Sequence, residues 1–117
     1  LGKYFKNSGS SSLIVAKNYI NSQKTFSVDT ISLDSINELK ESTINLIWVD
    51  VQGAEKQVID SGKLLFYRSK LLWIEYGEKE YEGFLSREEL IKLFSNTHYV
   101  SRFSNRNKKG NLLLIRK

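Results

Sequence analysis

Two stretches of the chain, 44–51 and 70–77, are almost continuously apolar, the pattern of strands buried on both faces. Between them Ala54, Val58, Ile59, Gly62 and Leu65 recur at helical spacing, which predicts a helix over 53–66, broken at Ser61 and Gly62. Residues 86–96 carry the clearest helical pattern. Ser86 and Glu89 have the spacing of a capping box, Leu90, Ile91, Leu93 and Phe94 form the apolar side, and Asn96 is a candidate stop. Residues 25–33 alternate, with Phe26, Val28 and Thr30 against Ser27, Asp29 and Ile31, which predicts a strand. Leu33, Ile36 and Leu39 then predict a short helix within 32–42, capped by Ser32 or Asp34. Residues 98–104 and 110–117 read as two last strands joined by a loop of hairpin-like length.

Strands alternating with helices predict a parallel sheet with right-handed crossovers. The last two strands lack an intervening helix and should be antiparallel, so the expected class is α/β with a mixed sheet. Residues 1–24 are polar and irregular. The Ser/Gly stretch 7–13 reads as a surface loop, although its backbone N–H groups could also hold a phosphate.

Composition narrows the picture only a little. A length of 117 residues fits one domain, and 40% hydrophobic with 26% charged residues is an ordinary globular balance. The absence of Cys excludes disulfides and thiolate metal sites and leans towards a cytoplasmic setting. No apolar run reaches the ~20 residues of a membrane helix, and no signal-peptide pattern opens the chain. The net charge of +5 is too modest to name nucleic acid as a partner. Much of the excess lies in 101–110, which reads as a solvated loop. The sequence opens on Leu1 and holds no Met, as in a trimmed chain or a piece of something longer.

Candidate chemistry lies where the apolar runs end. In open α/β sheets, ligands bind beyond the carboxyl ends of the strands. Asp50 ends one run and Glu75 the other, so neighbouring strands would turn both acids towards one crevice. Gly53 permits a tight turn into the next helix, whose first turn would hold Glu55 at its positive end. Asp50 has two readings, capping of that helix or a functional acid in a cleft. Tyr76, Gly77, Glu78, Tyr81 and Glu82 follow the second run, as an exposed loop or as the lining of a substrate mouth. His98 is the lone histidine and is expected to be structural. No His cluster suggests a metal, and no glycine-rich nucleotide fingerprint, phosphate loop or nucleophile elbow is present.

Three segments together, 30–36, 44–62 and 71–78, resemble the FkbM family of S-adenosylmethionine-dependent methyltransferases. The family's Thr-x-x-Leu-Asp segment is matched by Thr30, Leu33 and Asp34. Its Asp-Val-x-Gly-Ala-Glu block is matched by Asp50, Val51, Gly53, Ala54 and Glu55, and its later acidic strand end by Glu75. The Ser-rich stretch 7–13 is similar to one the family carries upstream. The resemblance implies the C-terminal part of a Rossmann-like class I methyltransferase fold, with a mixed sheet and a final antiparallel strand. It also implies that 1–117 is a single partial domain. The glycine-rich loop and ribose-binding acid of the family's first half have no counterpart, and the strand ending at Asp50 is expected at an open edge.

The expected activity of the complete protein is methyl transfer from S-adenosylmethionine to a hydroxyl of a saccharide or other small molecule. Asp50 and Glu75 are then the candidate catalytic acids, with Gly53, Glu55 and Tyr76 supporting. Cofactor-binding residues are not identified, and neither metal, nucleic acid nor membrane is expected. The isolated chain should bind the cofactor poorly, and its open edge should favour pairing with another copy or a covering segment. A competing reading is a non-catalytic α/β binding or assembly module that uses this edge.

Overall fold

The computed structural model describes residues 27–77, 83–104 and 108–117. At its centre is a four-stranded mixed sheet built from β1 (Leu46–Val49), β2 (Leu71–Tyr76), β3 (His98–Phe103) and β4 (Gly110–Arg116), in the order β1-β2-β4-β3. β1 and β2 are parallel, whereas β4 runs antiparallel to both β2 and β3. The last strand is thus inserted between β2 and β3, and among the described residues β1 lies at an edge of the sheet. The mixed sheet agrees with the sequence-based expectation.

The helices after β1 form where the spacing places them. The stretch after β1 divides into α2 (Glu55–Asp60) and α3 (Lys63–Arg68), with the predicted break at Ser61 and Gly62. Gly62 is needed for close approach, because a Cβ there would lie 2.8 Å from that of Leu33. α4 (Arg87–Phe94) begins at the predicted capping box. The Glu89 N–H donates to Ser86 Oγ at 3.2 Å, and the Ser86 N–H donates to Glu89 Oε2 at 2.8 Å. This helix stops at Ser95 rather than Asn96. The core joins one sheet face to these helices through Val49, Ile59, Phe66, Leu72, Ile74, Leu90, Phe94, Leu112 and Leu114.

Three expectations need correction. Residues 27–32 form no strand, and Val28 and Ile31 are 53% and 74% exposed. Alternation favours extended backbone, but a strand also needs a hydrogen-bonding neighbour, and none lies beside these residues among those described. The expected 32–42 helix is instead a 3-10 turn (Leu33–Ser35) and a single turn, α1 (Asn37–Lys40), interrupted by the extended Ile36. Neither Ser32 nor Asp34 caps a helix with its side chain. Ser32 Oγ and the Asp34 N–H both donate to the Ser61 carbonyl, at 2.7 and 2.9 Å, pinning the segment to the α2–α3 junction.

The third correction concerns β1, which is not buried on both faces. Leu46 is 49% and Trp48 69% exposed, while Val49 on the other face is buried. An apolar run records what both faces could bury. Only the face towards the helices is covered by described residues.

Candidate functional site

The parallel register puts Trp48 opposite Trp73 and Val49 opposite Ile74. The next residue of each chain, Asp50 and Glu75, therefore emerges side by side at the carboxyl end of the sheet. β4 enters from the same end, with Asn111 opposite Glu75 and Gly110 opposite Tyr76. Gly110 has to lack a side chain, since a Cβ would stand 1.9 Å from the Ser104 carbonyl oxygen. The hairpin thus carries Lys109 close enough for its positive charge to act on Glu75.

The turn between β1 and α2 is shaped from within by Glu55. This residue is buried, and its Oε1 accepts from the N–H groups of Val51 and Gly53, each at 3.2 Å. Oε2 is buried without a hydrogen-bond partner among the described residues. Between the two bound amides, Gln52 has a left-handed φ of 52°, followed by Gly53 at 99°. Glu55 therefore does more than place a negative charge in the first turn of α2, because it fixes the course of the chain ahead of that helix. The helix-capping alternative for Asp50 is not realised. The N-cap position belongs to Ala54, with no side-chain cap, and Asp50 instead accepts from Gln52.

Gln52 Nε2 donates to Asp50 Oδ1 at 2.6 Å and to Glu75 Oε2 at 3.2 Å, joining the two acids. Burial pushes the Glu75 carboxyl up to about 7, helped by its hydrogen bond with Asp50 and by the charges of Asp50 and Glu55, while Lys109 opposes the rise. Two carboxyls held this close resist simultaneous ionisation. Near neutral pH the pair can hold one proton and take up or release it, which is the chemistry of an acid–base site.

Of the residues singled out in the sequence, Asp50, Gly53, Glu55 and Glu75 meet at this turn. Tyr76 lies across the sheet on the buried face, and its hydroxyl donates to the Ser104 carbonyl. His98 is buried between Ser69 and Phe94. Its Nε2 is 2.9 Å from the Ser69 carbonyl oxygen and its ring is edge-on to Phe94, the structural role expected of it. Glu78, Tyr81, Glu82 and the 7–13 stretch lie outside the described residues. Gln52 was not singled out in the sequence. The available signal was a bulky polar residue immediately before a turn glycine.

Among the described residues, no group of three or more His, Cys, Asp or Glu side chains could hold a metal ion, and no helix is long and apolar enough to cross a membrane. An open groove of about 650 Å³, lined by Asn45, Lys70, Leu71, Ile115, Arg116 and Lys117, lies at the other end of the sheet. It is apolar and distant from the acids, so the chemistry argues for the carboxyl end.

Comparison with known proteins gives a family match over residues 2–106, to the methyltransferase FkbM domain. The chain is 38% identical over 90 residues to the 2-O-methyltransferase NoeI of Sinorhizobium fredii (strain NBRC 101917 / NGR234). That alignment covers 75% of this chain, which spans 37% of the relative's length. No solved structure matches the chain.

Proposed function

The chain belongs to the FkbM methyltransferase family, and from that premise we propose that the complete protein methylates a hydroxyl of a saccharide or other small molecule, with S-adenosylmethionine as donor. The observation that carries this reading is the Asp50–Glu75 pair at neighbouring strand ends, bridged by Gln52. The name of the relative, a 2-O-methyltransferase, supports a hydroxyl acceptor.

Asp50 is exposed and accepts the acceptor's hydroxyl proton as its oxygen attacks the methyl carbon. Glu75 tunes that acid and stores the proton. Both groups also hold the acceptor oxygen in line, and alignment supplies much of the rate. When bound, S-adenosylmethionine would supply an electrophilic methyl group, its sulfonium sulfur being the leaving group that would take the electron pair of the carbon–sulfur bond. A sulfonium cation is complementary to facing carboxyls, so this donor set fits the reactive end of S-adenosylmethionine. We assign residues 1–117 to the acceptor side of the site and place the glycine-rich cofactor loop outside them.

Methyl transfer to a panel of saccharide hydroxyls by the complete protein tests the reading. Asp50→Asn and Glu75→Gln should each lose at least tenfold in kcat, within the usual range for a lost acid–base group. Full activity in both variants would sink it. Calorimetry on residues 1–117 should detect no more than weak S-adenosylmethionine binding, and micromolar affinity would overturn the division of the site.

A second reading, an assembly module, is favoured by the exposed edge strand with Leu46 and Trp48. It predicts a concentration-dependent dimer that disperses in Trp48→Lys and no methyl transfer by the complete protein.

A further inference from the structure

Gln52 has an unusual backbone for its side chain. A φ of 52° favours glycine or asparagine, and a longer residue carries strain there. The strain follows from its neighbours. Glu55 Oε1 gathers the N–H groups of Val51 and Gly53, the residues on either side, and leaves Gln52 little choice of conformation. In return the turn directs one neutral amide back over the strand ends. Its nitrogen has two hydrogens, and each is given to a different carboxylate, Asp50 and Glu75. A lysine would neutralise the pair, a carboxylate would repel it, and a glycine would suit the backbone but remove the one amide that touches both acids.

We propose that Gln52 is a positioning residue for the Asp50–Glu75 pair, a neutral clamp that sets the distance between the acids and keeps Asp50 turned towards the acceptor. Buried Glu55 acts one step further back by locking the turn that aims the clamp. The role deepens, and rests on, the acid–base reading given above. The separation of the two acids itself can nevertheless be read without any turnover.

The test is a carbon-13 NMR titration of the Asp and Glu carboxyls in the full 117-residue chain. The wild type should titrate in two coupled steps, with the upper near pH 7. An N–H donated to a carboxylate stabilises its charged form, so losing it should raise the upper step by about half a pH unit. Gln52→Gly removes the amide and relieves the backbone, so its fold should be at least as stable as the wild type. Gln52→Glu should raise the step further by adding a third negative charge. In the complete protein, Gln52→Gly should lower kcat about tenfold with little change in KM, as expected for misaligned groups.

An unchanged upper step in a folded Gln52→Gly chain overturns the clamp, whatever the activity. If that step moves while Asp50→Asn remains fully active, the clamp stands and the acid–base reading falls.

Discussion

The two ends of the sheet handle polar groups in opposite ways. At the amino ends of β1 and β2, polar side chains are directed at backbone carbonyls. His98 meets Ser69, Ser69 Oγ donates to Leu65 at 2.7 Å, and Arg116 donates to Arg68 at 2.8 Å. Each contact closes a loop or fastens a strand end. At the carboxyl ends, Asp50 and Glu75 are set against each other, a third acid is buried behind them, and a strained glutamine links the two. The first arrangement lowers the cost of burying polar groups, whereas the second keeps a cost that a scaffold does not need. That contrast favours the carboxyl end as the candidate site, although the wide groove lies at the other end.

The comparison can be broken first at the scaffold end. Phe94 stacks with Phe66 at 6.2 Å and meets Tyr67 and His98 edge-on, so Phe94→Ala should cost about 3–5 kcal/mol in urea denaturation. A smaller loss, about 2–3 kcal/mol, is expected for Glu55→Ala, which leaves the Val51 and Gly53 amides without their acceptor. A loss under 0.5 kcal/mol, roughly the size of a neutral surface change, would remove Glu55 as the lock of the turn. Ser86→Ala should cost about 1 kcal/mol through the capping box while leaving the titration of Glu75 unaltered.

The pH dependence sharpens the contrast, because the two ends carry opposite signs. Glu75 is raised in the folded state from an ordinary value of 4.5 to about 7. Between those values the folded chain binds more protons than the unfolded one, so this group makes stability fall as pH rises. His98 is lowered from 6.5, first by burial. It binds fewer protons when folded, so its contribution makes stability rise until pH passes 6.5. Glu75→Gln should therefore flatten or reverse the decline between pH 4.5 and 7 seen by urea titration at several pH values. An unchanged slope would mean that the Glu75 carboxyl is not held up by its neighbours. The smallest effect belongs to Asp50→Asn. It removes a like charge and should bring the Glu75 midpoint down with little change in stability.

Local rules account for the elements that were read correctly from the sequence. The capping box of α4, the Ser61–Gly62 break and the β3–β4 hairpin each depend on residues a few positions apart. The acid pair was legible for a related reason. Both acids end long apolar runs, and a parallel register of neighbouring runs brings such ends together. Tyr76 illustrates the limit. It and Glu75 are adjacent in a strand, so they must point to opposite faces, and only the packed sheet shows that Tyr76 takes the buried one. Residues 27–32 illustrate another, since alternation by itself supplies no partner strand and none lies beside them among the described residues.

The sequence by itself determined the α/β order, the two acid-ended strands and the family, because periodicity, turn glycines and a contiguous motif are all local properties. The tertiary structure alone decided which face of β1 stays open among the described residues. It alone brought Gln52 onto both carboxyls as well. That contact spans 23 positions from Gln52 to Glu75, and its geometry depends on strand register and on a buried carboxylate behind the turn, neither of which a local pattern encodes.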